Sequence, residues 1–197
     1  MQQAILVRHG ESDYSSRALM NGDVAVAVGL TERGREQARA LAVALRDLRL
    51  DLCVTSALQR AVETADVVLA GRVVPRLVMP ELNDPLYGRF EGGTLDDYRA
   101  WAAASPSSAA PEGGGESRVA IVARYVRAFR SLLARPEETI LVVCHSLPIA
   151  YALGAREGKP PSAREPLAEY AHPYRFDTAE LGRAADVLDT WTTDPTW

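Results

Sequence analysis

Three short stretches carry the side chains of this chain best suited to chemistry. Ile5-Leu6-Val7-Arg8-His9-Gly10 ends an apolar run in an arginine, a histidine and a glycine. Leu52-Cys53-Val54 leads into a segment containing Arg60, and Thr139 to Cys144 is a second branched run, ending at His145. Apolar runs of this kind read as buried strands, and strand ends are where an α/β sheet presents reactive groups. A strand-end histidine can act as nucleophile, base or metal ligand. Arg8 beside His9 favours an anion over a divalent cation, and phosphate is the anion to suspect. Two strand-end histidines and two early arginines fit one pocket at the carboxyl edge of a sheet.

The elements that must position these groups follow from periodicity. A first strand over 3–8 leads into a long polar loop through Asn21 and Gly22. Thr31 is placed to cap a helix running to about Leu48, with Leu41, Leu45 and Leu48 at helical spacing. A strand over 50–55, a helix over 57–70 closed by Gly71, and a strand over 72–78 come next. Between Met79 and Gly93 the prolines and glycines break any regular pattern. Thr94 can cap a short helix to Trp101, and the Ser-, Pro-, Ala- and Gly-rich stretch 105–115 reads as the most mobile part. Residues 117–134 form an amphipathic helix. After the strand ending at His145, a helix is expected over 147–153, a surface loop over 154–166, extended chain over 167–176, and a last helix capped by Asp177 or Thr178 and reaching Trp191. Strands alternating with helices imply parallel crossovers, hence a three-layer α/β/α sandwich around a mainly parallel sheet. The chain reads as one domain over 1–197 with a cap insertion around 80–118.

At 197 residues with 47% hydrophobic and 24% charged residues the composition is that of an ordinary folded domain, and a net charge of −4 gives no general attraction to nucleic acid or anionic membrane. An anion must therefore be captured by local arginines. No leader pattern or bilayer-length apolar run is present, so a cytoplasmic location is expected. Cys53 and Cys144 lie in separate strands without metal or redox spacing and read as core; alternation sends Cys144 and His145 to opposite faces.

Taken together, these blocks resemble the histidine phosphatase superfamily, in its phosphoglycerate-mutase-like branch. The R-H-G tripeptide at Arg8, Asn21-Gly22 followed by Leu30-Thr31-Glu32-Arg33-Gly34, the S-x-L-x-R-A-x-x-T-A run from Ser56 to Ala65, Gly88-Arg89-Phe90-Glu91-Gly92 and Gly115-Glu116-Ser117 occur in family order and span most of the chain. The resemblance implies a phosphoglycerate-mutase-like fold and a metal-independent phosphatase that needs no cofactor. In that scheme neutral His9 attacks phosphorus to form a phosphohistidine, its other ring nitrogen held by a backbone carbonyl. Arg8, Arg60 and His145 form the phosphate pocket, and Ser15, Asn21, Gly22 and the amides of Ser146 and Leu147 complete substrate binding. Asp84 stands where the family usually has its general-acid glutamate, with Glu81 in reserve. Ser15 and Ser146 replace the usual asparagine and glycine. Glu11 is expected near the pocket or in an ion pair, and His172 outside the chemistry.

The implied substrate is a small phosphorylated metabolite; Arg17, Arg89 and Arg175 are candidates to meet a second anionic group, or plain surface charges. Alternatives are a phosphoglycerate mutase-type phosphotransferase and a non-catalytic phospholigand-binding or regulatory protein. A nucleotide-binding flavodoxin-like domain is disfavoured by the absence of a glycine-rich loop after the first strand. Oligomeric state is open, a homodimer being one option.

Overall fold

A computed structural model describes residues 1–197. Five strands, β1 (Gln3–Arg8), β2 (Leu52–Thr55), β3 (Arg76–Val78), β4 (Thr139–Cys144) and β5 (Pro173–Asp177), form one sheet in the order β3-β2-β4-β1-β5. All pairings are parallel except that of β5 with β1, so the mainly parallel sheet expected from the alternation of elements is present, with an antiparallel edge. Six helices accompany it: α1 (Glu32–Ala44), α2 (Gln59–Val68), α3 (Leu95–Ala104), α4 (Arg118–Leu133), α5 (Ser146–Arg156) and α6 (Thr178–Thr193). No helix is long and apolar enough to cross a membrane.

Strand alternation divides the core into two layers. Ala4, Leu6, Ile140, Val142 and Cys144 pack with α4, α5 and α6 in the larger cluster, while Ile5, Val7, Leu141 and Val143 pack against α1 and α2 in the smaller. Cys144 is thus a core residue facing away from the phosphate chemistry, and burial pushes its thiol and that of Cys53 up to about 12.

Helix starts obey capping chemistry. Thr31 accepts from the Gly34 amide, Thr94 from Asp97 and Ser117 from Ala120, and Asp177 and Glu180 form a reciprocal capping box at α6. The boundaries depart from expectation where the last apolar residues lie outside regular structure. α1 stops at Ala44, and Leu45 to Leu48 form turns. β3 begins only at Arg76, because Val73 is fully exposed and Pro75 has no amide to donate to a ladder. α2 begins only at Gln59, with Leu58 extended ahead of it, and α5 runs on to Arg156 through Gly154.

Residues 80–118 hold two short 3-10 turns and α3, and Tyr87 and Tyr98 join Met20 of the loop after β1 in a small separate core with Phe90, Leu95 and Trp101 against it. The stretch 105–115 is tied down by Arg89 N–H donating to Glu112 O at 2.7 Å and Ser107 N–H to Trp197 O at 3.0 Å.

Candidate active site

Register explains how residues distant in sequence meet. Arg8 pairs with Cys144 and Thr55 with Val143, so the residues leaving β1, β4 and β2, namely His9, His145 and Ser56, emerge side by side at the carboxyl edge. The two imidazoles lie edge to face, with ring centroids 5.2 Å apart.

His9 Nδ1 lies 2.6 Å from the Gly10 carbonyl oxygen, and Arg60 Nε lies 3.1 Å from His9 Nε2. A carbonyl can only accept and a guanidinium N–H can only donate, so both contacts assign one tautomer: Nδ1 carries the proton and Nε2 the lone pair. Burial, followed by the charges of Arg60, His145 and Arg8, holds the His9 pKa well below its ordinary value, keeping the ring neutral. His145 follows similar logic. Its Nδ1 is 3.2 Å from Asp84 Oδ2 and its Nε2 is 2.8 Å from Ser56 Oγ, so Nδ1–H faces the carboxylate and the serine hydroxyl donates to Nε2. Burial lowers its pKa despite Asp84, which pulls the other way.

Arg60 ties the cluster together. Besides His9 it donates to Asn21 Oδ1 at 2.9 Å, to the Asn21 carbonyl at 2.8 Å and to Asp84 Oδ2 at 2.7 Å. Burial alone would push the Asp84 carboxyl up, but the His145 ring and the Arg60 guanidinium outweigh it and hold the group well below the carboxylate range. Arg8 is fixed differently: Nη1 donates to Ala168 O at 2.8 Å, the guanidinium carbon sits 3.7 Å from the Tyr170 ring centroid, and Nε has no acceptor. His9, Asp84 and His145 bring possible metal-ligating atoms within 4.8 Å of one another. Arg60 already points its donors at His9 Nε2 and Asp84, and that fixed positive charge suits an anion.

The surrounding loops explain why these side chains stay aimed. Thr64 Oγ1 accepts from Gly10 N–H at 3.0 Å and donates to Arg60 O at 2.7 Å, clamping α2 to the His9 turn. Asn83 Oδ1 accepts from Ala57 N–H, and its carbonyl accepts from Arg124 and Tyr125, holding the Asp84 loop. Glu91 takes the amides of Gly22 and Tyr87, and Glu116 takes that of Leu86.

Of the residues singled out in the sequence, Arg8, His9, Ser15, Asn21, Arg60, Asp84, Ser146 and Leu147 line one cavity of about 170 Å³, and His145 lies fully buried beneath Asp84 and Arg60. Gly22 is a correction. Its amide is spent on Glu91 and it lies outside the cavity; its role is close approach, since a Cβ there would stand 1.7 Å from the Pro85 carbonyl oxygen. Gly22→Ala is therefore expected to displace the Asp84-Pro85 loop and lower kcat/KM by about 10²-fold, measured beside a thermal melt. The Ser15 hydroxyl lines the cavity but is already bonded to Ser12. Glu11 turns to Thr31 Oγ1 and Arg33, Glu81 does not line the cavity, and His172 is exposed against Tyr174. Arg17, Arg89 and Arg175 are exposed and engaged elsewhere. Tyr170, Arg99 and Arg118 also line the cavity, and no motif marks them in the sequence.

A family model described as the histidine phosphatase superfamily (branch 1) matches residues 4–185. The chain belongs to this superfamily. An adenosylcobalamin/alpha-ribazole phosphatase from Salmonella typhimurium is 34% identical over 149 residues, covering 71% of this chain and 72% of the relative. A 2,3-bisphosphoglycerate-dependent phosphoglycerate mutase from Brucella melitensis is 34% identical over 174 residues, 80% of this chain and 82% of the mutase. Among solved structures, the alpha-ribazole phosphatase from Shigella flexneri superposes with a TM-score of 0.75 at 27% identity, covering 89% of this chain and 90% of that one. The α/β fold of this histidine phosphatase is that of its solved neighbours.

Proposed function

We propose that the protein is a metal-independent phosphomonoesterase acting on a small phosphorylated metabolite, with Nε2 of His9 as nucleophile. The observation that carries the assignment is the tautomer: two independent contacts leave the lone pair on the nitrogen that faces Arg60 and the cavity. The entering phosphoryl group displaces Arg60 Nε from that lone pair and takes guanidinium donors onto its oxygens. Nε2 then forms a bond to phosphorus as the ester P–O bond breaks, and the leaving oxygen takes a proton from Asp84. In the second half, water attacks the phosphohistidine, Asp84 receives a proton from it, and the P–N electrons return to Nε2.

Asp84 is ionised in the empty site, and substrate binding changes that. A phosphate between Arg60 and His145 competes for the partners that hold the carboxyl down and adds negative charge nearby, so its proton affinity rises in the complex. Asp84→Asn should cost about 10²- to 10³-fold with an alkyl phosphate and far less with p-nitrophenyl phosphate, whose leaving group needs no proton. Equal losses on both substrates would exclude this role.

Hydrolysis of p-nitrophenyl phosphate in the presence of EDTA, with phosphate-labelled His9 trapped by alkaline quench, is the direct test. Absence of both overturns the reading. The similarity to the Brucella mutase favours one second reading, phosphotransfer, and labelled His9 that reacts with added phosphoglycerate faster than with water would establish it.

A further inference from the structure

Three buried side-chain polar atoms lack a hydrogen-bond partner: Arg8 Nε, Arg118 Nε and Trp197 Nε1. The first two belong to arginines lining the same cavity. Arg8 is accounted for by the phosphoryl group; Arg118, the first residue of α4, is not.

Arg118 is only 6% exposed, and its side chain pairs with a tyrosine hydroxyl and not with a carboxylate. Its one side-chain hydrogen bond runs from Nη1 to the Tyr151 hydroxyl at 3.0 Å, and its guanidinium carbon lies 5.1 Å from the Tyr98 ring centroid. Nε and Nη2, which form one edge of the guanidinium plane, are left without acceptors. A guanidinium stays charged even when buried, and a charge without a counter-ion in a low-dielectric site is costly to maintain. Arg99 of α3 adds a second positive charge to the same wall, held by Nη2 donating to the Glu165 carbonyl at 2.9 Å and likewise free of any carboxylate partner. Glu165 lines the cavity too, and its carboxylate accepts from the Ser162 amide at 2.7 Å. The Tyr87 and Tyr98 rings, 4.9 Å apart, line the same cavity.

We infer that the cavity holds a second anion subsite at Arg118, assisted by Arg99, and that the substrate is a phosphate monoester bearing a further carboxylate or phosphoryl group. The unmatched edge of Arg118 presents two parallel donors, the arrangement that accepts two oxygens of one oxyanion. The inference rests on the phosphatase reading for which end of the substrate reacts.

The test uses carboxyalkyl phosphates of increasing chain length, each against the uncharged alkyl phosphate of the same length, with alkane bisphosphates as a parallel arm. At the best length the intact protein should favour the doubly anionic member by about 10- to 100-fold in kcat/KM. In Arg118→Met that ratio should fall towards unity, and Arg118→Lys should restore part of it. The ratio is internally normalised, so a variant that merely loses folded protein leaves it unchanged. Preference for carboxylates or for bisphosphates identifies the group; a ratio near one in the intact protein, or an unaltered ratio in Arg118→Met, overturns the inference. Calorimetric binding of the same pairs to the unlabelled protein reads the subsite even where turnover is absent, so failure of the phosphatase reading is distinguishable from failure of the subsite.

Discussion

His9→Ala is expected to reduce kcat/KM by about 10⁵-fold, because it deletes the atom to which phosphorus is transferred and not merely a group that assists. No neighbour can substitute. His145 is turned so that Nδ1–H meets Asp84 and Nε2 meets Ser56, which leaves no lone pair facing the cavity. The cradle should survive, since Arg60 keeps its contacts with Asn21 and Asp84 and Arg8 keeps Ala168 and Tyr170. Inorganic phosphate should therefore still bind within about tenfold of its original affinity while base-stable, acid-labile label disappears from the protein. Turnover persisting in this variant would remove the nucleophile from the scheme.

Arg60→Ala should combine a catalytic with a structural loss. Removing the principal donor to the phosphoryl oxygens is worth about 10³-fold in kcat. The same change leaves the largely buried Asp84 carboxylate without its closest cation, and breaking such a pair from one side costs about 3 kcal/mol. The double variant Arg60→Ala, Asp84→Asn should recover a substantial part of that stability and none of the activity. Denaturant unfolding separates the two effects. The sign of the pH dependence follows from the depressed folded pKa of Asp84. Its stabilisation is fully present above the ordinary value of 3.8 and is lost as the pH falls through the lower folded value. The stability gap between the parent and Asp84→Asn should accordingly narrow on going from pH 6 to pH 3. A gap independent of pH would show that His145 and Arg60 do not hold this carboxyl low in the folded protein.

Legibility in the sequence tracks physical locality. β1 and β4 were readable because both are continuous apolar runs ended by polar groups, and the capping residues Thr31, Thr94, Ser117 and Asp177 act within three positions of their own amides. His9 and Arg60 could be placed in one pocket, and even the carbonyl that fixes the His9 tautomer lies one residue away. Contacts made across the fold were not legible. Tyr170 reaches Arg8 only because the chain before β5 returns beside β1, and nothing near Tyr170 in sequence marks it. Gly22 looked like a ligand-binding glycine, and its packing against Pro85 depends on two loops meeting. Arg118 sits at the start of an apolar stripe where a charge reads as solvated; its burial arises from the tyrosines of α3 and α5.

The strand order has a bearing on biosynthesis. β1 and β2 never touch: β4 lies between them and pairs with both. A nascent chain carrying the nucleophile and its arginine therefore has no template to align them until the fourth strand has left the ribosome and filled the gap. Recovery of catalysis during refolding should report closure of that central seam, and truncated translation products should be inert whatever secondary structure they hold.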